Sequence, residues 1–151
     1  MARLAGTVAL VTGAGRGIGR ATASLFIAEG ATVFGVSRTE GELKDVGAAA
    51  AAGSGTFIPC PGDVTDPAFV ERLFDEVNGR CRRLDILVNN AGIAPFGSIE
   101  TMEPERFRKA LELNVWAVFL CTQQAVRMMK TTGAGKIVNI GSVRSHWTEN
   151  G

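Results

Sequence analysis

The sequence lacks the features that mark membrane proteins and nucleic-acid-binding proteins. Its 151 residues contain no apolar stretch of membrane-spanning length, and 16 basic against 15 acidic residues leave a formal net charge of only +1. A balanced charge provides no basic surface for nucleic acid or for an anionic membrane. We therefore expect a single soluble α/β unit that binds neither nucleic acid nor membranes and acts on a small molecule.

Cysteine and histidine are also scarce. Cys60, Cys81 and Cys121 form an odd, scattered set without metal-ligand spacing, so we expect reduced thiols, no disulfide and no metal site. The single histidine, His146, and the absence of a G-x-S-x-G motif argue against an acyl-transfer serine. Because residues 1–6 lead directly into the first predicted strand, we expect no signal sequence and a cytoplasmic location.

Glycine, in contrast, is concentrated where the first apolar run ends. Residues 8–11 predict a strand buried on both faces, and the glycine-rich segment 12–19, TGAGRGIG, follows it. Apolar residues at helical spacing then predict the packed side of a helix: Ile18, Ala21, Leu25, Phe26 and Ala28. Glycines at such a turn let the backbone approach a pyrophosphate, and the helix N-terminus attracts its charge. We predict that Gly13, Gly17 and Gly19 bind a dinucleotide pyrophosphate; the alternative is a glycine turn without a ligand.

The residues at the end of the second predicted strand, residues 31–37, would determine which of two dinucleotides the protein binds. A carboxylate there accepts hydrogen bonds from the ribose of NAD(H), whereas a guanidinium binds the 2′-phosphate of NADP(H). Ser37 stands at the position where a carboxylate would favour NAD(H). Arg38 and Arg16 could bind the 2′-phosphate from two sides. Glu42 is assigned to a capping box with Thr39. We therefore predict NADP(H), with NAD(H) as the alternative; Arg38 could also be a solvated charge.

The rest of the chain alternates strands and helices. Further strands are predicted at 56–60, 84–88 and 136–140, and Pro59 places the first of these at a sheet edge. Asp66 and Pro67 predict a helix start, followed by a packing stripe of Phe69, Val70, Leu73, Phe74 and Val77. A long helix begins near residues 102–105, and its predicted buried face carries Phe107, Leu111, Asn114, Val118, Cys121 and Ala125.

Several motifs in register resemble the short-chain dehydrogenase/reductase family. They are Thr12-Gly13-x-x-x-Gly17-x-Gly19, the run Asn89-Asn90-Ala91-Gly92 after the fourth strand, and a fifth strand that leads to Ser142. The resemblance covers essentially every residue. It implies a doubly wound parallel, Rossmann-like sheet with strand order 3-2-1-4-5, the C-terminal strands and helices being absent. It also implies a homodimer or homotetramer that transfers hydride between NADP(H) and a ketone or secondary alcohol.

The resemblance also implies roles for individual side chains. Gly13, Arg16, Gly17, Ile18, Gly19, Ser37 and Arg38 would contact the cofactor, Asp63 and Val64 would hold its adenine, and Asn90, Ala91 and Gly92 would border its ribose. Asn114 would hold a proton-relaying water, and Ser142 would hydrogen-bond the substrate carbonyl. The residues themselves leave alternatives: Asp63 as a turn former, Asn89 and Asn90 as sheet supports, and Asn114 as a local helix cap. His146 and Trp147 would line the substrate side of the cleft or lie on the surface.

The family's catalytic tyrosine and lysine have no counterpart in this sequence. It contains no tyrosine, and Lys136 precedes Ser142 on a different element. We expect residues 1–151 to be one NADP(H)-binding domain of a longer protein, ending before the Tyr-x-x-x-Lys region and inactive alone. The whole protein would reduce a 3-oxoacyl thioester or oxidise a sugar or polyol. The other hypothesis is a dinucleotide-binding protein without turnover; a different Rossmann enzyme, such as a methyltransferase, fits the motifs poorly.

Overall fold

The computed structural model describes residues 2–50 and 54–142, and these form a five-stranded parallel sheet with the strand order 3-2-1-4-5. The strands are β1 (Val8–Thr12), β2 (Thr32–Ser37), β3 (Thr56–Pro61), β4 (Ile86–Asn89) and β5 (Lys136–Asn139). The predicted fold class and strand order are confirmed. His146 and Trp147 lie outside the described residues.

Helices cover both faces of this sheet. They are α1 (Gly17–Ala28), α2 (Glu40–Ala50), α3 (Pro67–Cys81), α4 (Pro104–Leu111) and α5 (Ala117–Thr132), with a π-helical turn (Glu112–Trp116) joining α4 to α5. Alternate residues of β1 enter two separate cores: Leu10 packs with residues of α3 and α5, and Val11 packs with residues of α1 and α2. In the described part of the chain, no helix combines the length and apolar character needed to cross a bilayer.

The sheet is buried at its centre and open at its edges. All five residues of β1 are buried, as expected for a parallel strand covered by helices on both faces. Pro59 lies on β3, which is an outer strand and, among the described residues, pairs only with β2. No described strand lies on the other side of β3, so the missing amide proton of Pro59 costs no hydrogen bond there. The predicted edge position of Pro59 is therefore confirmed.

The start of α3 shows how local sequence sets a helix boundary. The side chain of Asp66 accepts a hydrogen bond from the amide of Ala68 at 2.9 Å, and Pro67 occupies the first helical position. Val70, Leu73, Phe74 and Val77 are buried. Phe69 is half-buried. The predicted start and packing stripe of this helix are confirmed.

The predicted packing face of α1 is wrong for four of its five residues, and only Phe26 packs half-buried against the core. Ile18 and Leu25 are 63% and 53% exposed, whereas the buried residues of the helix are Gly19, Ala23 and Ile27. Apolar residues surround most of this helix, so their spacing does not identify one face. Small side chains at Gly19 and Ala23 let the helix lie close to the strands, which decides the orientation.

The predicted buried face of the long helix is wrong in its first half. Phe107 and Leu111 are 51% and 47% exposed, whereas Cys121 and Ala125 are buried and Val118 is half-buried. The π-helical turn between the two halves inserts one extra residue. One residue corresponds to about 100° of rotation, so positions in phase along a regular α-helix point in different directions here.

Candidate dinucleotide-binding site

A pocket lies over the carboxyl ends of four neighbouring strands. Its walls come from the segments that follow β1, β2, β3 and β4. Eleven predicted site residues line it: Gly13, Arg16, Gly17, Ile18, Ser37, Arg38, Asp63, Val64, Asn90, Ala91 and Gly92. The lining also includes residues that the sequence did not single out as site residues: Gly15, Val36, Thr39, Glu42, Gly62, Ile93 and Leu113. Gly19, Asn114 and Ser142 do not line it.

The glycines of the turn after β1 differ in backbone conformation and in what surrounds them. Gly13 and Gly17 have φ of +66° and +54°, a backbone region that disfavours side chains. A Cβ at Gly17 would meet nothing within 4 Å, so its backbone faces open space. A Cβ at Gly19 would lie 2.1 Å from the carbonyl oxygen of Gly13, so this buried glycine allows α1 to pack under the turn. Gly17 thus leaves its backbone open to the pocket, and Gly19 supports the turn from below.

The N-terminus of α1 opens toward the same pocket without a local counter-charge. Arg16 occupies the N-cap position in an extended conformation, no side chain caps the helix, and its first turn contains no acidic residue. The first amides of an α-helix have no partner within the helix. They therefore provide hydrogen-bond donors and a positive field for an anion at the turn. This donor set fits the pyrophosphate of a dinucleotide.

A hydrogen-bonded cluster joins the ends of β1 and β4. The hydroxyl of Thr12 accepts hydrogen bonds from the amides of Asn90 and Ala91, both at 3.0 Å, and donates to the carbonyl of Val88 at 3.4 Å. The side-chain amide of Asn90 donates to the carbonyls of Thr12 at 3.0 Å and Gly13 at 3.2 Å. Asn90 therefore shapes the pocket wall by supporting the turn after β1.

Asn89 has a structural position on the other side of β4. It is 4% exposed, and its side-chain amide donates to the hydroxyl of Thr122 at 3.1 Å and to the side-chain oxygen of Asn139 at 2.8 Å. These bonds connect β4 to α5 and to β5. Of the two asparagines, Asn89 supports the sheet away from the pocket and Asn90 contributes to the pocket wall.

The end of β2 differs from the sequence prediction. The hydroxyl of Ser37 donates to Oε2 of Glu42 at 3.2 Å and accepts from the amide of Thr39 at 3.2 Å. The predicted capping box between Thr39 and Glu42 is therefore wrong, because the Glu42 carboxylate turns to Ser37 and the amide of Thr39 uses the same hydroxyl. Arg16 and Arg38 are exposed. Among the described residues, neither forms an ion pair.

Asp63 combines a turn with a place in the pocket wall. Its Oδ1 accepts hydrogen bonds from the amide of Thr65 at 2.9 Å and from the hydroxyl of Thr65 at 2.8 Å. The turn-forming alternative is therefore present. Val64 follows with 5% exposure, and both residues line the pocket beside the end of β3.

Asn114 holds the segment that follows β4. Its Oδ1 accepts from the amide of Ile93 at 3.0 Å, and its Nδ2 donates to the carbonyl of Ile93 at 2.8 Å. Asn114 lies in the π-helical turn and is exposed, so the prediction that it sits on a buried apolar stripe is wrong. Ser142 follows β5 and is exposed.

The cysteines carry no chemistry in this site. All three are free thiols, and burial raises the pKa of Cys60 and of Cys121 to about 12. These two thiols stay protonated near neutral pH and are poor nucleophiles. No group of potential metal ligands occurs within residues 2–50 and 54–142.

Fold and pocket together define a Rossmann-like α/β protein with a ligand crevice at the carboxyl ends of its strands. A family model described as short chain dehydrogenase matches residues 7–150, and the chain belongs to this family. Members of the family bind nicotinamide dinucleotides.

Individual relatives support the same assignment. The chain is 37% identical over 139 residues to the 3-oxoacyl-[acyl-carrier-protein] reductase FabG of Salmonella typhimurium, covering 91% of this chain and 55% of that protein. It is 39% identical over 146 residues to a 3beta-hydroxysteroid dehydrogenase of Mediterraneibacter gnavus, covering 95% and 52%. The crystal structure of a short-chain dehydrogenase/reductase from Burkholderia xenovorans superposes with a TM-score of 0.93 at 40% identity, covering 97% and 60%. The chain thus spans about half the length of these curated relatives.

Proposed function

We propose that this chain binds NADP(H) and that the whole protein transfers hydride between this cofactor and a ketone or secondary alcohol. The observation that carries the proposal is a pocket lined by the uncapped N-terminus of α1 and by Arg16 and Arg38, neither of which forms an ion pair within the described residues. The helix N-terminus suits a pyrophosphate, and Arg16 and Arg38 suit the additional 2′-phosphate. NAD(H) is the alternative cofactor.

Each part of the pocket has a role in this proposal. Gly13, Gly17 and Ile18 lie along the pyrophosphate, Asp63 and Val64 hold the adenine, and Asn90, Ala91 and Gly92 border the ribose next to the nicotinamide. When bound, the cofactor supplies or accepts the hydride. The protein orients it against the substrate, excludes water and positions protons.

On the substrate side, we propose that Ser142 hydrogen-bonds the reacting carbonyl oxygen. Asn114 then acts as a positioning residue, because its side-chain oxygen and its side-chain nitrogen are both hydrogen-bonded to the backbone of Ile93 in the pocket wall. Among carbonyl substrates we favour a 3-oxoacyl thioester, since several relatives are 3-oxoacyl-[acyl-carrier-protein] reductases at 37–38% identity. A sugar, polyol or other secondary alcohol is the alternative, which the similarity to a hydroxysteroid dehydrogenase also supports.

We further propose that residues 1–151 bind the cofactor but do not turn over substrate by themselves. The 151 residues include no tyrosine to protonate a carbonyl oxygen at neutral pH. Binding without turnover is therefore the second candidate function. We also propose that the whole protein forms a homodimer or homotetramer, supported by exposed apolar side chains along the long helix: Phe107, Leu111, Val115, Trp116 and Phe119. Sedimentation equilibrium tests this, and a monomer at all concentrations would refute it.

Titration with NADPH, followed by the change in its fluorescence, tests the binding proposal. We expect saturable binding to the wild-type chain and none to Gly17→Glu, which introduces a bulky negative charge at the pyrophosphate position. Gly133→Glu is the matched control, because Gly133 also has a positive φ, of +74°, and open space around its Cβ position but lies at the end of α5. Absence of binding to the wild type, or equal binding by the Gly17 and Gly133 variants, would refute the proposed site.

A further inference from the structure

Glu42 lies inside the pocket, close to the residues proposed to bind the 2′-phosphate. It belongs to the first turn of α2 and lines the pocket together with Ser37 and Arg38. The Glu42 side chain also packs directly against the glycine turn. A Cβ at Gly15 would lie 2.4 Å from Oε2 and 2.8 Å from Cβ of Glu42. Gly15 is thus the residue that leaves room for the carboxylate.

The hydrogen bonds of Ser37 limit what it can offer to a ligand. Its hydroxyl has one proton, which it donates to Glu42, and its oxygen already accepts from the amide of Thr39. The remaining lone pair can accept a hydrogen bond from a ribose hydroxyl. It cannot donate to a phosphate unless the bond to Glu42 breaks. The arrangement therefore matches a hydroxyl donor better than an anionic acceptor.

The charges around this position oppose one another. Arg16 and Arg38 attract a phosphate, and the Glu42 carboxylate repels it. No ion pair within the described residues neutralises Glu42, whereas Glu40, on the same helical turn, pairs with Lys44 at 3.0 Å. Glu40 does not line the pocket, so of these two carboxylates only that of Glu42 lies beside the proposed 2′-phosphate position.

We propose that Glu42 is a specificity-determining residue that limits the preference for a 2′-phosphate over a 2′-hydroxyl. This inference rests on the proposed function, because it assumes that the pocket takes an adenine dinucleotide. Glu42 and Ser37 together can accept a hydrogen bond from a 2′-hydroxyl, and Arg16 and Arg38 can donate hydrogen bonds to a 2′-phosphate. With both pairs in one subsite, the pocket accepts NAD(H) as well as NADP(H), and the charge at position 42 sets the balance.

Two small probes test this inference without involving the nicotinamide or catalysis. Adenosine 2′,5′-bisphosphate and adenosine 5′-monophosphate differ only in the 2′-phosphate, and calorimetry gives a Kd for each. In Glu42→Gln, which keeps an acceptor for Ser37 but removes the charge, we expect the preference for the bisphosphate to rise about tenfold. In Glu40→Gln, the matched loss of one charge outside the pocket, we expect the preference to change less than about twofold. The ratio of two affinities in one variant cancels any general loss of folded protein.

The outcomes separate the inference from the proposed function. If neither probe nor dinucleotide binds the wild type, the dinucleotide pocket is wrong and the role of Glu42 falls with it. If both probes bind and Glu42→Gln leaves their ratio unchanged, or shifts it no more than Glu40→Gln does, the inference alone is overturned. A fall in the ratio would show that Glu42 assists the phosphate and would also overturn it.

Discussion

Asn90 donates two hydrogen bonds to Thr12 across the ends of β1 and β4. The backbone amide of Asn90 donates to the Thr12 hydroxyl, and the side-chain amide of Asn90 donates to the Thr12 carbonyl, both at 3.0 Å. Strand pairing ends at this point, and side chains satisfy the backbone groups that the sheet leaves open. The pair sets the distance between the glycine turn and the opposite wall of the pocket.

Thr12→Val tests the importance of this hydroxyl for stability. Thr12 is 2% exposed, and valine keeps its shape but leaves the amides of Asn90 and Ala91 without their acceptor. We expect the free energy of unfolding to fall by about 1–3 kcal/mol, since a fully buried unpaired group costs roughly 1–3 kcal/mol and these two amides are partly buried. Urea denaturation measures the change. Thr12→Ser, which keeps the hydroxyl, should lose clearly less; equal losses would show that the methyl group matters instead.

Gly19→Ala should disrupt the packing of α1 against the turn. The new Cβ would approach the Gly13 carbonyl oxygen to 2.1 Å and the side-chain nitrogen of Asn90 to 2.4 Å, and the carbonyl cannot move without opening the turn. We expect a loss of about 2 kcal/mol or more by urea denaturation. The control is Gly41→Ala on α2, where a Cβ meets nothing within 4 Å. This change should stabilise by about 0.4–1 kcal/mol. A neutral Gly19→Ala would contradict the observed contact.

The carboxylate of Asp85 should contribute stability that depends on pH. Burial raises its pKa, but hydrogen bonds from the Arg83 side chain and the Val8 amide together outweigh burial and leave the folded-state pKa below its ordinary value of 3.8. A depressed pKa stabilises the fold above the unfolded pKa, and this stabilisation is lost as the pH falls through the folded pKa.

Asp85→Asn should therefore be less stable than the wild type at pH 7, and the difference should shrink as the pH is lowered from about 5 to about 2. Urea denaturation across this pH range measures it. Asp75→Asn, an exposed carboxylate on α3, is the control and should show little difference at any pH. A constant gap between wild type and Asp85→Asn would show that the charge is not responsible.

Arg38→Asp tests the proposed phosphate contact in the whole enzyme. The change replaces a guanidinium with a carboxylate, which repels a 2′-phosphate and accepts a ribose hydroxyl. We expect the ratio of kcat/KM for NADPH over NADH to fall at least about a hundredfold, the effect of roughly 2.7 kcal/mol. Arg72→Asp, an exposed residue of α3 outside the pocket, should leave the ratio unchanged. An unaltered ratio in Arg38→Asp would remove Arg38 from the proposed contact.

Sequence reasoning succeeds here where the determining contacts are local. The buried run of β1, the Asp66 cap and the stripe of α3 depend on residues a few positions apart, and the structure confirms each. The motifs that resemble the family predict the strand order 3-2-1-4-5, and the structure has this order. Eleven predicted site residues lie in the pocket because loops at the carboxyl ends of parallel strands meet at one edge of the sheet.

The errors arise where distant or irregular contacts decide. Thr12 and Asn90 are 78 positions apart, so no local pattern reveals that the hydroxyl of Thr12 supports both strand ends. The π-helical turn changes the phase of the long helix in a way that a fixed period cannot represent. Glu42 matched a capping pattern, but the nearby Ser37 hydroxyl competes for its carboxylate and turns it into the pocket.

The hydrogen bonds at the amino ends of the strands lie on the edge of the sheet opposite the pocket. There, Asp85 binds the amide of Val8, and Glu29 binds the guanidinium of Arg3 at 3.0 Å. Asp85 and Glu29 thus anchor the amino ends of the strands, whereas the residues that line the pocket follow the carboxyl ends. Substitutions of exposed pocket-lining residues and substitutions that strengthen the contacts of Asp85 or Glu29 therefore fall at opposite ends of the same strands, and the effects of the two kinds of change can be measured separately.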